Sequence, residues 1–164
     1  MNVLWAPWRM EYIESSTPRR CIFCVGSDGP TDDLVLVLDE NAIVMLNRFP
    51  YNNGHVLIAP RRHVARLGEL TVEEYVHLMA TVRQSVAILE RELRPEGMNV
   101  GINLGATAGA GIADHLHWHA VPRWGGDTNY MPVIGEVKVL PQHLTDSRDR
   151  LRPHFQALRS GPAG

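Results

Sequence analysis

The segment His115-Leu116-His117-Trp118-His119 constrains the fold of this chain more than any other. Alternate residues of a β-strand point to the same face, so a strand here places three imidazoles on one surface. A strand serving only the core would carry Val, Ile or Leu at those positions, because both nitrogens of a buried imidazole need partners. The alternative is a surface metal chelator or a purification tag, although a tag would stand at a terminus and this segment is internal. We therefore predict a functional site on this strand.

The composition favours one compact domain. The chain has 164 residues, of which 45% are hydrophobic and 21% are charged, a composition that suits a single core. A net charge of -2 and an aromatic content of 7% disfavour a nucleic-acid partner. No apolar run approaches the roughly 20 residues of a membrane span, and the first residues lack a signal-peptide pattern. Two cysteines are too few for a disulfide framework, which suits a reducing compartment. We therefore expect a cytoplasmic protein, and the absence of a long apolar run predicts no membrane partner.

Apolar runs and one long helical pattern predict an α+β fold. Five runs bounded by turn residues predict strands at residues 34–38, 42–46, 55–59, 98–104 and 115–122. Thr71 and Glu74 form a capping-box pair before apolar residues at helical spacing, which predicts a long helix that ends before Pro95. A C-terminal helix is predicted over residues 151–158, with Pro153 near its first turn.

His117, the central histidine, is the candidate nucleophile. Imidazole has an unperturbed pKa of about 6.5, so it is largely neutral and nucleophilic at pH 7. The preceding loop, residues 105–111, consists almost entirely of Gly and Ala, which lets a phosphate approach the backbone N–H groups, with Gly109 and Gly111 as candidate contacts. An ordinary small-residue turn is the alternative. The loop and the histidines together predict stabilisation of charge on a phosphoryl oxygen.

Cys21 and Cys24 form a second constellation. Their two-residue spacer lets both thiolates reach one tetrahedral metal ion. A thioredoxin-like dithiol would begin a helix after a strand, and nothing around Cys21 indicates that arrangement. His63 is a candidate third ligand, but a solvent-exposed histidine fits its position equally well. The spacing alone does not name a fourth ligand.

Residues 115–121 resemble the histidine-triad signature (His-apolar-His-apolar-His-apolar-apolar) of the HIT superfamily of nucleotidyl hydrolases and transferases. Residues 46–50 and 54–60 are similar to the ribose-binding and central-strand segment of that family. Similarity to its bacterial diadenosine tetraphosphate phosphorylase branch is carried by the cysteine pair and by residues 4–9, 109–113 and 124–129. The resemblance extends over nearly the whole chain.

The resemblance implies a HIT-like fold, with about five antiparallel strands, one long helix and a C-terminal helix. It implies a homodimer in which the long helix and a strand pair across a two-fold axis. It also implies a single HIT domain over residues 1–164, made of an N-terminal arm (1–20), a HIT core (21–125) and a C-terminal extension (126–164).

The resemblance further implies the roles of the site residues. His117 attacks the α-phosphate of an adenine dinucleoside polyphosphate and forms a nucleotidyl-histidine, supported by His55 and by His119, which also contacts the substrate. Asn47 hydrogen-bonds the ribose hydroxyls. In zinc-containing relatives, the first triad histidine joins a CxxC pair and one more histidine on a structural zinc. The implied ligands here are Cys21, Cys24, His63 and His115.

One departure from the family pattern concerns the second step. Many triad hydrolases carry Gln and then Ser or Thr where this chain has Gly111 and Ile112. The missing side chains leave room for inorganic phosphate as the acceptor, so that the products are ATP and ADP. Hydrolysis of dinucleoside polyphosphates or of nucleoside phosphoramidates is one alternative, and a non-catalytic nucleotide-binding module is another. Candidate side chains for holding the phosphate are Arg9, Arg61, Arg62, Arg123, Asp127, Thr128 and Asn129.

Overall fold

In the part of the chain that the structure describes, five strands form one antiparallel sheet, which confirms the predicted α+β class. The strands are β1 (Val35–Leu38), β2 (Ala42–Leu46), β3 (Val56–Pro60), β4 (Gly97–Ile102) and β5 (Trp118–Arg123). Their order in the sheet is β1-β2-β3-β5-β4, so β4 lies at one edge. These elements come from a computed structural model, which describes residues 21–25, 33–127 and 142–159.

Strands β1 to β3 form an antiparallel meander. Every residue of β2 and β3 is buried, which explains why both strands are continuous apolar runs. Between β1 and β2, the Asp39 carboxylate accepts hydrogen bonds of 2.7 Å from the backbone N–H groups of Asn41 and Ala42. Between β2 and β3, the chain turns through Gly54, whose φ of 72° is rarely adopted by other residues.

Strand β5 begins at Trp118, so the prediction of a strand from His115 onwards is wrong at its start. The backbone N–H of Leu116 donates to the carbonyl of Val64 at 2.7 Å, outside the sheet ladder. The segment before β5 is thus held by the loop that follows β3. Only His119 of the three histidines lies on a regular strand.

The long helix α1 (Val72–Leu93) begins where the capping box predicts. The Thr71 hydroxyl accepts from the Glu74 N–H at 3.2 Å, and the Glu74 carboxylate accepts from the Thr71 N–H at 2.8 Å. The helix ends at Arg94, which has left-handed backbone angles. The helix packs against β3 and β5, the two strands next to His55 and His119.

The C-terminal helix α2 (Leu144–Gln156) begins seven residues before its predicted start. Its N-cap, His143, makes no side-chain capping bond, so the usual sequence signal for a helix start is missing. Its buried residues are Ser147, Leu151 and Phe155, and it packs on β1 and α1. Pro153 lies inside the helix near its end, not in the first turn.

The predicted N-terminal arm, residues 1–20, lies outside the described residues. Of the predicted extension, the structure describes residues 126–127 and 142–159. Neither helix within the described ranges combines the length and apolar character needed to cross a membrane.

Candidate active site and metal cluster

The three candidate catalytic histidines form one cluster beside the centre of the sheet. His55 directly precedes β3, and His119 on β5 pairs with Leu57 of β3, so the two imidazoles meet across the ladder. Their ring centroids are 5.2 Å apart. The ring of His117 lies 5.0 Å from that of His119, in an edge-to-face arrangement. The three imidazoles are therefore contiguous neighbours.

His117 has an unprotonated Nε2. Its Nδ1 lies 2.8 Å from the backbone carbonyl oxygen of His115. A carbonyl oxygen only accepts hydrogen bonds, so Nδ1 carries the proton. Burial lowers the pKa of His117, which the bond to His115 partly opposes, and the ring is neutral at pH 7. Neutral imidazole with its proton on Nδ1 offers the Nε2 lone pair as a nucleophile.

His119 has the opposite tautomer. The backbone N–H of Tyr51 donates to Nδ1 of His55 at 3.0 Å, so the proton of neutral His55 is on Nε2. That Nε2–H donates to Nδ1 of His119 at 2.9 Å. The proton of neutral His119 is therefore on Nε2. One backbone N–H thus fixes the tautomers of two imidazoles in series.

The Nε2–H of His119 is a buried donor. Among the buried side-chain nitrogen and oxygen atoms of the described residues, Nε2 of His119 is the one without a hydrogen-bond partner. Burial, and secondarily the charge of His117, lowers the pKa of His119 to about 4, so it stays neutral at pH 7. A buried donor without a partner is costly. An oxygen atom of a bound ligand would remove that cost.

Asn47 lies beside this cluster at the end of β2. Its side-chain nitrogen lies 3.3 Å from Nδ1 of His55, and its side-chain oxygen accepts from the N–H of Phe49 at 3.0 Å. Both ends of the amide are therefore held in place. This geometry orients Asn47 toward the same histidine that Tyr51 contacts.

The glycine-rich loop before the histidines has an open backbone. It contains one turn of 3-10 helix at Ala106–Ala108, between Gly105 and Gly109, whose φ angles are 83° and 89°. A Cβ atom built at Gly111 would meet no atom of the described residues within 4 Å. There is space at Gly111 for an anion, or for a longer side chain.

The four predicted metal ligands lie together, with one donor atom of each within 4.8 Å of the others. Sγ of Cys24 lies 3.1 Å from Nδ1 of His63 and 3.6 Å from Nδ1 of His115, and Sγ of Cys21 lies 3.3 Å from Nδ1 of His115. Ligands of one tetrahedral zinc are separated by roughly 3.5 Å, given Zn–S and Zn–N bonds of about 2.3 and 2.0 Å. The donors and their spacing fit a closed four-ligand metal site.

His115 is oriented as a metal ligand should be. Its Nε2–H donates to the carbonyl of Pro60 at 2.8 Å, so its unprotonated Nδ1 faces the thiols. Burial lowers the pKa of His115, which keeps that ring neutral. Desolvation and then the neighbouring Cys21 thiol raise the pKa of Cys24, while Arg61 opposes them. A bound cation would favour the thiolate instead.

The arginines proposed as phosphate ligands have other partners. Arg62 forms an ion pair with Glu74 at 2.7 Å, and Arg61 donates to the carbonyl of Val25. Arg123 forms an ion pair with Asp127 at 2.7 Å. The Asp127 carboxylate also accepts from the Trp124 N–H at 3.1 Å, so it holds a turn together. Arg9, Thr128 and Asn129 lie outside the described residues.

Two site residues escaped sequence reasoning. Phe23, fully buried between the two cysteines, has its ring 5.1 Å from those of both His115 and His117. Its position inside the CxxC motif was the available signal. Tyr51 contacts His55 through its backbone and its ring, and no sequence pattern marked it.

Comparisons with known proteins relate this chain to one family. The HIT domain family model matches residues 29–126. The AP-4-A phosphorylase of Mycobacterium tuberculosis is 40% identical over 155 residues, covering 88% of this chain and 80% of that protein. An asymmetrical bis(5'-nucleosyl)-tetraphosphatase of Schizosaccharomyces pombe is 33% identical over 98 residues, 60% of this chain and 53% of that protein. The crystal structure of a Zn-bound histidine triad family protein from Mycobacterium smegmatis superposes with a TM-score of 0.66 at 26% identity, covering 85% and 96% of the two chains. The chain belongs to the HIT domain family.

Proposed function

We propose that this protein is a nucleotidyltransferase that cleaves diadenosine tetraphosphate by phosphorolysis, giving ATP and ADP. The observation that carries the proposal is the pair of opposite tautomers at His117 and His119. One ring offers a lone pair and its neighbour offers a buried N–H donor. The 40% identity to a protein named AP-4-A phosphorylase supports this choice of substrate.

In the first step, Nε2 of His117 attacks the α-phosphorus and forms an N–P bond. The bond from that phosphorus to the bridging oxygen breaks, and ATP leaves with its electron pair. Negative charge builds on the non-bridging oxygens during the attack, and the Nε2–H of His119 is a preorganised donor for one of them. The carbonyl of His115 accepts a hydrogen bond from the Nδ1–H of His117. This contact stabilises the positive charge that develops on the His117 ring during the attack.

In the second step, the acceptor decides the product. An oxygen of inorganic phosphate attacks the phosphorus, the N–P bond breaks, ADP forms and His117 is regenerated. Water in the same position gives AMP. The open space at Gly111 supports phosphate as the acceptor, because no side chain of the described residues fills it. The backbone N–H groups of the loop, including those of Gly109 and Gly111, are the proposed hydrogen-bond donors to the phosphate. Asn47 is the proposed contact of the ribose hydroxyls.

The metal cluster has a structural role in this proposal. We propose that Cys21, Cys24, His63 and His115 hold zinc, which as a closed four-ligand site would link the chain segments around the nucleophile. The donor set of two thiols and two imidazoles supports zinc over a hard, oxygen-preferring cation. His117 acts without contacting the ion.

The test is to incubate the purified protein with diadenosine tetraphosphate, with and without inorganic phosphate, and to separate the nucleotides. ATP plus ADP, formed only with phosphate, is the expected result. ATP plus AMP in either buffer would make the protein a hydrolase. The absence of turnover would refute the proposal in favour of phosphoramidates or a binding role.

Two variants sharpen this test. His117→Asn removes the nucleophile and should abolish turnover while preserving nucleotide affinity. In a non-catalytic module, the same variant would change neither the affinity nor the turnover, which would already be absent in the wild type. Gly111→Gln restores the amide of the hydrolase pattern at a position with space for it. We expect this variant to shift the product from ADP toward AMP, and unchanged phosphate dependence would refute the role of Gly111.

We further propose a homodimer in the cytoplasm. Strand β4 at the sheet edge carries Val100, which is 46% exposed, and helix α1 carries the exposed apolar residues Val72, Tyr75 and Val76. Within the described residues, β4 pairs only with β5. Such a sheet edge and an apolar helix face are surfaces that a second subunit can cover. Two free cysteines suit a reducing compartment. Sedimentation equilibrium would give the mass, and a monomer would refute this assembly.

A further inference from the structure

Tyr51 covers the pair formed by His55 and His119. Its ring stacks on His55 with centroids 4.8 Å apart and an interplanar angle of 30°, and on His119 at 5.8 Å and 20°. Rings on opposite faces of a tyrosine would be about 10 Å apart, whereas the two imidazole centroids are 5.2 Å apart. Both imidazoles therefore lie on the same face of Tyr51.

Among the described residues, His55 and His119 are the rings that stack on Tyr51, so its other face is open to a ligand. The residue is 52% exposed although one face of its ring is covered. The partnerless Nε2–H of His119 lies on the ring that Tyr51 stacks against, and it is a donor for a phosphate oxygen. A polyphosphate held by His119 therefore passes beside Tyr51.

We propose that the open face of Tyr51 stacks on the base of the leaving nucleotide and makes the site selective for substrates with two nucleosides. This inference rests on the proposed function and concerns its substrate class. Diadenosine tetraphosphate carries a second adenine on the leaving side, and planar bases stack on exposed aromatic rings. A substrate whose leaving group carries no base gains no stacking interaction with Tyr51.

The test compares two ligands that differ by one adenosine. Diadenosine tetraphosphate and adenosine 5'-tetraphosphate are titrated calorimetrically into the His117→Asn protein, which cannot turn either ligand over. Tyr51→Ala, added to this background, should weaken binding of the dinucleotide about tenfold, which corresponds to about 1.4 kcal/mol. Binding of adenosine 5'-tetraphosphate should change by less than about twofold, because its phosphates meet the same histidines.

Three further variants serve as controls. Tyr51→Phe keeps the ring and should keep the affinity for the dinucleotide. Tyr51→Leu keeps apolar bulk without a flat face and should lose that affinity, which separates stacking from general packing. Phe49→Ala removes another aromatic residue of the same loop, 51% exposed, and should have little effect.

The outcomes separate this inference from the proposed function. An equal loss for both ligands in Tyr51→Ala would mean that the ring acts only on the histidines, and would overturn the inference. No loss for either ligand would overturn it as well. If the His117→Asn protein with Tyr51 intact binds neither ligand, the proposed function fails together with the inference.

Discussion

Truncation of Asp127 tests how the end of β5 holds the turn before His55. The Asp127 carboxylate accepts from the side-chain nitrogen of Asn52 at 2.7 Å, from the backbone N–H of Trp124 at 3.1 Å, and from Arg123 at 2.7 Å. Asn52 is 6% exposed and opens the turn that leads to His55. The carboxylate therefore links two segments that are 75 residues apart in the chain.

The expected cost of Asp127→Ala follows from these contacts. A hydrogen bond to a charged group contributes about 1.5–3 kcal/mol, and Asn52 keeps its second acceptor, the carbonyl of Pro122. The ion pair adds little, because the Arg123 side chain is 45% exposed and water screens it. We therefore expect a loss of about 2 kcal/mol in the free energy of unfolding, and a melting temperature lower by about 4–8 °C for a domain of this size.

Differential scanning calorimetry and urea unfolding would measure this loss. Asp149→Ala is a matched control, because the Asp149 side chain is 67% exposed and pairs only with its neighbour Arg148 among the ion pairs that the structure describes. This control should change the melting temperature by less than about 1 °C. If Asp127→Ala were equally neutral, the carboxylate would contribute nothing to the link and the reasoning would be wrong.

Three other outcomes are expected. Cys24→Ser should lower the zinc content and the melting temperature before it lowers activity per folded molecule, and an unchanged melting curve would count against the metal site. Because the pKa of His119 is about 4 in the folded protein and near 6.5 when unfolded, the unfolded chain binds more protons between these values. Stability should therefore fall as pH drops from about 6.5 to about 4, and urea midpoints of wild type and His119→Gln would show the difference. Gly54→Ala should cost about 2–4 kcal/mol in urea unfolding, since φ is 72° and the new Cβ would lie 2.3 Å from the Leu93 side chain. Gly68→Ala, where a Cβ would meet no atom of the described residues within 4 Å, is the control and should change the urea midpoint little.

The parts of the fold that depend on local patterns could be predicted from sequence. The capping box at Thr71 located the start of α1, and continuous apolar runs located β2 and β3. The start of α2 could not be predicted, because His143 makes no side-chain cap. The start of β5 was missed because Leu116 pairs with Val64, a contact between distant loops.

The same distinction applies to the candidate site. The alternation of three histidines at residues 115, 117 and 119 indicated the site directly from the sequence, although only His119 lies on a strand. The tautomer of His119 depends on the backbone of Tyr51, which only the folded structure brings near it. The ion pair of Arg123 likewise depends on the turn that Asp127 closes, so the sequence could not exclude Arg123 as a phosphate ligand.

The metal cluster also has a consequence for the unfolded chain. Its ligands are far apart in sequence: Cys24 and His63 are separated by 39 positions, and Cys21 and His115 by 94. An ion held by all four would close two long loops and remove much of the freedom that the chain gains on unfolding. Metal supply would then govern the lifetime of the folded state as well as its equilibrium stability. Refolding with zinc would therefore follow a chain that the ion cross-links, and refolding without zinc would follow the same chain without cross-links.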